Sequence, residues 1–364
     1  MTERPGTSSL ALLCALAGTA AACAAAPAAL PGPAASPSGR EVAVLSETRR
    51  AMATLVTVTV AAPDGPATAA AVEAAFAVFA RVEAVMNEWR PDSPLSALNA
   101  AAGTGRLVEL TGDLCEVLRA GKAGAERTGG LFDPTWAALR GLWRFGDGEP
   151  PRVPAESELA RACPLVSWRD LAIDPPAPAA PDAPCRALLA RPGMQVGLGG
   201  LAKGWGVDRA AAALRRHGIS DFTVQAGGDL YAAGTRGGRP WRGGVRDPRG
   251  RPGEPFAWLE VRDAAFSTTG DSERSFVANG VRHHHVIDPR TCRPATASRQ
   301  VTVLAPTALE AEVLSKAVFV AGGEAGLGLA RAAGAEAVIV NAGNGLLVSP
   351  GLSARLAVER PPSP

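Results

Sequence analysis

The sequence predicts a globular protein in which helices and strands alternate along the chain. Of its 364 residues, 47% are hydrophobic and 20% are charged, a balance that allows a substantial buried core. Apolar residues recur at helical spacing between 66 and 86, whereas β-branched residues alternate with others between 54 and 60. The formal net charge of +2 provides no basic surface for nucleic acid, so no nucleic-acid partner is expected.

The chain begins with the pattern of a secretion signal. An apolar run from Leu10 to about Ala22 is too short for a comfortable membrane span, so residues 1–22 are predicted to be cleaved. Cys23 resembles the modified cysteine of a bacterial lipoprotein, which favours lipid attachment over simple cleavage. Residues 23–40 are rich in Ala, Pro, Ser and Gly and are predicted to form a flexible tether. We therefore expect an exported protein, periplasmic or at the outer face of a membrane and attached by lipid alone, with one domain at 41–364.

Periodicity and turn residues place the individual elements of that domain. Apolar stripes predict helices at 66–86, 112–127, 203–216 and 307–321. Runs of β-branched and apolar residues bounded by turn residues predict strands at 54–60, 194–198, 222–225, 241–246, 257–261, 264–268, 300–304, 337–341 and 345–349. Gly343-Asn344-Gly345 is expected to turn the chain between the last two strands.

The cysteines of the domain are Cys115, Cys163, Cys185 and Cys292, and their spacing is not that of a zinc-ligand set. Cys163 and Cys185 flank a Pro-rich excursion, residues 174–184. Outside the cytoplasm this arrangement predicts a disulfide between those two residues. Such a bond would hold the excursion against the domain and would take no part in chemistry.

The central stretch, residues 195–208, reads Q-V-G-L-G-G-L-A-K-G-W-G-V-D. Gly199 and Gly200 let backbone N–H groups approach an anion at the start of a helix, where Lys203 adds positive charge. A second glycine turn, Gly227-Gly228, offers its backbone to a ligand in the same way. The alternative for the central stretch is a tight strand-to-helix turn with a solvated lysine.

Three further features have both a functional and a structural interpretation. Trp89 follows the first helix, and its ring can stack on a flat ligand or pack in the core. Asp133 precedes a proline and can cap a helix. His283 and His285 share one face of a predicted strand, but they lack an identified carboxylate partner, so a zinc site is not expected.

Several segments, in this order along the chain, resemble those of one enzyme family. They are M-A-T from Met52, M-N-E-W-R-P-D-S-P-L-S-A-L-N from Met86, G-G-L-F-D-P-T from Gly129, G-L-G-G-L-A-K-G-W-G-V-D from Gly197, A-G-G-D-L from Ala226, H-H-V-I-D-P-R-T from His284 and A-E-V-L-S-K-A from Ala311. From about Met52 to Val348 the chain is similar to the ApbE family, the FAD:protein FMN transferases. The resemblance implies an α+β fold of mixed or antiparallel sheets packed with helices, in two lobes with an FAD cleft between them. It also implies transfer of FMN from FAD to a Ser or Thr hydroxyl of an acceptor protein outside the cytoplasm, with release of AMP.

The resemblance assigns site residues by motif. Contacts with the flavin nucleotide would come from Met52, Trp89, Leu131, Phe132, Asp133, Gly197, Lys203, Gly227, Gly228 and Val286. His285 falls at the histidine regarded as catalytic, and a histidine that titrates near neutral pH is a natural base for a hydroxyl nucleophile. Lys203 would share the catalytic work by placing positive charge on the phosphate oxygens during phosphoryl transfer.

Some positions depart from the family pattern, chiefly around its Mg²⁺ site. In the family an Asp and a Thr of the late helix hold the ion together with a main-chain oxygen of the glycine turn, here that of Gly200. This chain has Glu312 and Lys316 in that helix, Gly197 where an Asp is usual, and Cys292 where a Gly is usual. A protonated lysine cannot ligate a metal, and the charge differences at Gly197 and Lys316 together equal the charge of the ion. We therefore expect Lys316 to replace Mg²⁺. The alternatives are that Glu312 keeps the ion with backbone oxygens, or that Glu312 and Lys316 are merely an i,i+4 ion pair on a solvated helix face.

Two other functions stay open at this point. The chain could hold FAD or FMN without transferring it, as an electron carrier or a maturation partner at the membrane. It could also hydrolyse the FAD pyrophosphate, with water in the place of the acceptor hydroxyl.

Overall fold

The computed structural model describes residues 43–146, 149–175, 183–251 and 253–364. The predicted signal peptide, lipid-attachment site and tether lie outside the described residues. Among the helices of those ranges, none combines the length and the apolar character that a membrane span requires.

Strands and helices are mixed along the described chain, but the predicted alternation fails between Phe222 and Ala305, where ten of the described strands follow one another without a helix. The strands are β1 (Val44–Ala51), β2 (Thr54–Ala61), β3 (Val108–Leu110), β4 (Leu171–Ile173), β5 (Cys185–Leu189), β6 (Phe222–Ala226), β7 (Asp229–Ala233), β8 (Trp241–Arg246), β9 (Pro255–Val261), β10 (Ala264–Gly270), β11 (Ser275–Ala278), β12 (Val281–His284), β13 (Ile287–Asp288), β14 (Arg293–Pro294), β15 (Ser298–Ala305), β16 (Glu336–Asn341), β17 (Leu346–Val348) and β18 (Leu356–Val358). The helices are α1 (Pro66–Met86), α2 (Pro94–Ala100), α3 (Gly112–Arg127), α4 (Glu156–Ala162), α5 (Ala202–Arg216), α6 (Ala308–Ala321) and α7 (Gly323–Ala332).

The largest sheet contains eight strands in the order β1-β2-β6-β7-β10-β15-β16-β17. Its neighbouring strands all pair antiparallel. One face packs against α1 and α5, and the other against the three-stranded sheet β18-β9-β8. Because successive side chains of a strand point to opposite faces, Tyr231 and Ala233 of β7 join the helix-side core, whereas Leu230 and Ala232 join the other. The α+β class is therefore confirmed, while the FAD cleft between two lobes stays a prediction.

Helix α5 crosses the start of α6 at close range. A Cβ on Gly204 would lie 2.5 Å from the carbonyl oxygen of Ala308, so glycine permits this approach. The carboxylate of Asp208 accepts from the backbone N–H groups of Ala308 at 2.8 Å and Leu309 at 2.9 Å. It therefore caps α6, and burial raises the pKa of Asp208 to about 6. This cap holds Glu312, in the next turn of α6, against the first turn of α5.

The disulfide prediction was wrong, because Cys185 bonds to Cys115 and Cys163 bonds to Cys292. Strand β3 pairs Leu110 with Cys185, and α3 begins two residues later, which brings Cys115 to Cys185. Cys163, at the end of α4, instead packs with Cys292 in a small core beside the β13–β14 hairpin. Cys292 has a φ of 57°, a left-handed conformation that glycine adopts without strain, which agrees with the glycine that the family resemblance led us to expect here.

The strand predicted at 194–198 is also absent. The N–H groups of Val196 and Gly197 bond to Asn99 Oδ1 at 2.8 Å and to the Pro134 carbonyl at 2.9 Å instead of to a neighbouring strand. The segment is apolar because it is buried, not because it belongs to a sheet.

Candidate functional site

Four charged side chains meet where α5, α6 and β7 converge. Lys203 comes from the first turn of α5, Glu312 and Lys316 lie one turn apart on α6, and Asp229 begins β7 on its helix-facing side. We call these four residues the charged cluster. Its two positive and two negative groups balance, so their mutual attraction offsets part of the cost of removing these charges from water.

Glu312 lies at the centre of the charged cluster. Its side chain is 0% exposed, and both carboxylate oxygens have partners. Oε1 accepts from Lys203 Nζ, and Oε2 accepts from the backbone N–H of Gly204 at 2.8 Å. Lys316 Nζ is 3.6 Å from the same Oε1. Glu312 therefore satisfies one of the free N–H groups at the start of α5 and anchors both lysines.

Asp229 is the second acid of the charged cluster, and it was missed by the sequence reasoning. Its Oδ2 lies 3.3 Å from Lys203 Nζ, and its Oδ1 accepts from Ser267 Oγ at 2.5 Å. Ser267 lies directly opposite Asp229 in the β7–β10 ladder. The hydroxyl of Ser315 on α6 is 3.1 Å from Ser267 Oγ and 2.8 Å from Thr269 Oγ1. These hydroxyls link the sheet to α6 beside the cluster. The A-G-G-D-L motif contains Asp229 and is the signal from which it could have been predicted.

Lys316 reaches from α6 to the glycine turn that precedes α5. Its Nζ donates to the carbonyl of Glu312 at 3.0 Å. Its side chain passes over Gly200, where an added Cβ would lie 2.9 Å from Lys316 Cε. The side chains of Lys316 and Lys203 are 25% and 22% exposed, so both are partly accessible to solvent, whereas Glu312 between them is not.

Burial and mutual attraction set the protonation of the charged cluster. Burial opposes charge on Lys203, but the two acids outweigh it and raise the pKa of Lys203. Burial likewise opposes charge on Glu312, but the two lysines outweigh it and lower the pKa of that carboxyl. Burial and repulsion from Glu312 raise the pKa of Asp229. Burial lowers the pKa of Lys316, an effect that attraction to Glu312 opposes and repulsion from Lys203 reinforces. Lys203 and Glu312 therefore form the firmly charged pair of the cluster.

His285 follows the β11–β12 hairpin, and its backbone N–H donates to the Arg274 carbonyl at 3.1 Å. His285 is an exposed residue, although nearby protein atoms partly desolvate its ring. This desolvation is the main reason that the pKa of His285 falls from 6.5 to about 3. The neighbouring charges of His284, Arg274 and Lys316 add to the effect. The ring is therefore neutral at neutral pH, unlike the histidine titrating near neutrality that the sequence argument expected.

The two preceding histidines have structural roles. His284 is buried, its Nε2 lies 2.7 Å from a backbone carbonyl, and its Nδ1 accepts from the Val286 N–H at 3.3 Å. The ring of His283 packs between Phe276, at 5.2 Å, and Trp143, at 5.5 Å between ring centroids. Of the three, His285 is the histidine that remains for chemistry.

Trp89 is 68% exposed, which removes the core-packing interpretation. The guanidinium carbon of Arg140 lies 4.4 Å from its ring centroid, and Arg140 is itself 3.6 Å from Glu88 Oε1. Burial raises the pKa of Glu88. The charge of Arg140 and hydrogen bonding to the backbone of the glycine turn at Gly199 partly oppose this increase in pKa. Part of the backbone predicted to receive an anion thus faces Glu88, a residue of the quoted M-N-E-W motif that sequence reasoning passed over.

The remaining apolar residues predicted to contact the flavin differ in how deeply they are buried. Met52 has a φ of 51° in the turn between β1 and β2, and its N–H donates to Glu83 Oε1 at 2.7 Å. Leu131 is partly buried, and Phe132 is buried beside the glycine turn. The Val286 side chain is buried in the core between α6 and the sheet.

Asp133 does not begin a helix, because a short 3₁₀ helix starts only at Ala137. Its Oδ1 accepts from the N–H and the hydroxyl of Thr135 at 2.8 and 2.6 Å. Its Oδ2 accepts from the Trp168 N–H at 3.0 Å. Burial raises the pKa of Asp133, and these bonds oppose the increase. The carboxylate therefore orders the loop that carries Phe132.

The glycine at 197 is required by local packing. A Cβ there would lie 2.9 Å from both Ala137 Cβ and the Trp136 ring. Trp136 Nε1 also donates to the Gly197 carbonyl at 3.0 Å. The aspartate usual in the family would therefore collide with the indole that covers this position.

The second glycine turn borders an open depression of about 490 Å³. Gly227 has a φ of 58°, and a Cβ on Gly228 would lie 2.8 Å from the Thr268 carbonyl. The charged cluster does not line this depression, whose walls include Thr54, Arg246 and Glu273 instead. The second glycine turn therefore borders this depression, while Asp229, the residue after it, lies 3.3 Å from Lys203 in the charged cluster.

The structure thus combines an α+β fold, a cluster with two partly exposed lysines, and an exposed histidine after the β11–β12 hairpin. Residues 52–339 match the model of the ApbE family. The FAD:protein FMN transferase of Treponema pallidum is 35% identical over 272 residues, 72% of this chain and 74% of that protein. The crystal structure of the ApbE protein from Thermotoga maritima has a TM-score of 0.77 at 30% identity and covers 87% of this chain and 100% of that one. The apo form of the flavinyl transferase ApbE from Pseudomonas stutzeri has a TM-score of 0.74 at 27% identity, covering 87% and 97%. This chain belongs to the ApbE family.

Proposed function

We propose that this protein is an FAD:protein FMN transferase, which moves FMN from FAD to a Ser or Thr hydroxyl of an acceptor protein and releases AMP. The observation that carries the proposal is the pair of partly exposed lysines, Lys203 and Lys316, which both lie beside the Glu312 carboxylate at the start of α5. Membership of the ApbE family supplies the substrate class, because a relative with 35% identity has this activity as its name.

The reaction forms one P–O bond and breaks another. The acceptor oxygen bonds to the phosphorus of the FMN half, and the bond between that phosphorus and the bridging oxygen breaks. AMP leaves with the bridging oxygen, and the hydroxyl proton passes to a base. Phosphoryl transfer of this kind depends on positioning and on positive charge around the phosphate oxygens, which Lys203 and Lys316 are placed to supply.

His285 is the base in this proposal. Its imidazole is neutral at neutral pH and can accept a proton, but a pKa of about 3 makes it a weak base in the free protein. The negative pyrophosphate of bound FAD favours the imidazolium and raises this pKa toward the ordinary value. Substrate binding therefore strengthens the base at the moment at which it is needed.

Trp89 receives the isoalloxazine ring in this proposal. Its indole is largely exposed, and the contact with Arg140 fixes its orientation. A preordered aromatic ring loses little conformational freedom when a flat ligand stacks on it.

Export and lipid attachment at Cys23 belong to the same proposal. Every cysteine of the described ranges is paired, in the bonds Cys115–Cys185 and Cys163–Cys292. Disulfides persist in oxidising compartments and are rare in the cytoplasm. Acceptor proteins are accordingly sought outside the cytoplasm.

The test is incubation of the purified protein with FAD and exported proteins encoded beside its gene, followed by a denaturing gel viewed for flavin fluorescence. We expect one acceptor band that keeps its fluorescence after denaturation, and none with Lys203→Met. Lys122→Met, which removes the same charge outside the cluster, is the matched control. Release of AMP and FMN with no labelled acceptor would show a hydrolase instead, and FAD binding without either product would show a flavin-binding protein.

A further inference from the structure

The residues around Gly200 do not fit the Mg²⁺ that the family implies. Magnesium needs close oxygen ligands in near-octahedral geometry. Both oxygens of Glu312 are already occupied, by Lys203 and by the backbone of Gly204, and Lys316 Nζ lies 3.6 Å from one of them. Within the described ranges, no group of three or more His, Cys, Asp or Glu side chains is arranged to hold a metal ion.

Lys316 lies between the two expected metal ligands, the main-chain oxygen of Gly200 and the carboxylate of Glu312. Its stem lies over Gly200, its Nζ donates to the Glu312 carbonyl at 3.0 Å, and its charge is close to the Glu312 carboxylate. A protonated lysine has three donors and no lone pair, so it competes with a metal and cannot ligate one. The aspartate usual in the family is also excluded at Gly197, where Trp136 and Ala137 occupy the space of a side chain.

The geometry points to Lys316 as a resident cation that takes the place of Mg²⁺, so that this protein binds FAD without a metal ion. The inference rests on the proposed function for the identity of the ligand. Asp229 and Glu312 hold the ammonium groups of Lys203 and Lys316 in a balanced cluster, whose accessible side receives the pyrophosphate. The negative pyrophosphate favours the protonated form of Lys316.

Lys316 also has a defined part in the transfer step. Its ammonium stabilises the charge on the non-bridging oxygens while the acceptor oxygen bonds to phosphorus and AMP leaves. Unlike a metal ion, an ammonium is a point charge and does not hold several oxygens in fixed geometry. In this inference the Lys316 ammonium supplies the positive charge that the family resemblance assigns to bound Mg²⁺.

The first measurement uses the native protein, freed of metal by EDTA and dialysis. Isothermal titration with MgCl₂ at millimolar concentration is expected to give no binding heat. Titration with FAD is expected to give the same dissociation constant, within about twofold, in EDTA and in Mg²⁺. Binding of Mg²⁺ to the protein alone, or FAD binding that requires Mg²⁺, would overturn the inference.

The second measurement compares Lys316→Met with Lys122→Met, both in EDTA. Each variant removes one lysine charge and keeps a side chain of similar length. Loss of a charge-assisted hydrogen bond predicts FAD binding that is weaker by about 10-fold or more in Lys316→Met, and unchanged binding in Lys122→Met. Thermal unfolding establishes that both variants are folded. Equal affinity of Lys316→Met and the native protein would overturn the inference, and the native titrations decide the matter if this variant does not fold.

The inference and the proposed function fail differently. Transfer that requires Mg²⁺ would uphold the transferase and refute the role of Lys316. Metal-independent FAD binding that is lost in Lys316→Met, without transfer to any acceptor, would uphold the role of Lys316 and refute the transferase.

Discussion

Replacement of Trp89 by alanine separates ligand binding from folding. The side chain is 68% exposed, and the guanidinium of Arg140 lies 4.4 Å from its ring centroid. An exposed contact of this type contributes about 0.5–1 kcal/mol, so the variant should lose no more than about 1 kcal/mol of unfolding free energy. Aromatic stacking on a base is worth about 1–3 kcal/mol, and a flavin ring is comparable. Trp89→Ala is therefore expected to raise the dissociation constant for FAD about 5- to 150-fold.

Quenching of flavin fluorescence gives the dissociation constant, and urea denaturation gives the unfolding free energy. Trp89→Phe, which keeps a smaller ring, should lie between Trp89→Ala and the native protein. A folded Trp89→Ala that binds FAD as tightly as the native protein would refute the stacking role of Trp89. A loss of several kcal/mol of stability would contradict the exposed position of the ring.

Three further predictions concern the histidine run, a disulfide and the C-terminal contacts. His285→Ala should bind FAD within about threefold of the native protein and transfer FMN about 10²–10⁴-fold more slowly; the same loss in His284→Ala, without destabilisation, would shift the assignment to that residue. Replacing Cys163 and Cys292 together by serine should lower the unfolding free energy by about 2–5 kcal/mol, with the upper end favoured because the bond closes a span of 129 residues; an unchanged urea midpoint would contradict this. Burial opposes charge on Asp247, but hydrogen bonds from the backbone and from two side chains prevail and lower its pKa to about 2. Its contribution to stability is thus present above about pH 4 and is lost as pH falls through 2, so Asp247→Asn should be less stable than the native protein at pH 7 and should converge with it below pH 2.

Most helices and strands of the fold could be predicted from local sequence patterns. The apolar residues of α1, α3 and α6 predict the bounds of these helices to within one residue, because their spacing is helical and each helix ends shortly before a Gly or Pro. The segment 194–198 has the composition of a strand but bonds to a loop and a side chain. Composition reports that such a segment is buried and does not report its hydrogen-bond partners.

Most residues of the charged cluster could be predicted individually from sequence motifs, but the contacts between them could not. Lys203, Glu312 and Lys316 stand in recognisable motifs, but their meeting depends on the crossing of α5 and α6, which Gly204 permits. Asp229 reaches Lys203 because it lies on the face of β7 that packs against the helices, and this packing is a feature of the tertiary structure. Disulfide pairing is equally a tertiary fact, since four cysteines allow three connectivities and nearness in sequence does not select among them.

The most direct test of the transferase is one reaction followed by two measurements on the same sample. Purified protein, FAD and an exported acceptor are mixed, and the intact mass of the acceptor is measured together with the AMP released. We predict that the acceptor gains the mass of FMN less one water on a Ser or Thr, with one AMP formed for each modified acceptor. AMP and free FMN in equal amounts, with the acceptor mass unchanged, would contradict the account.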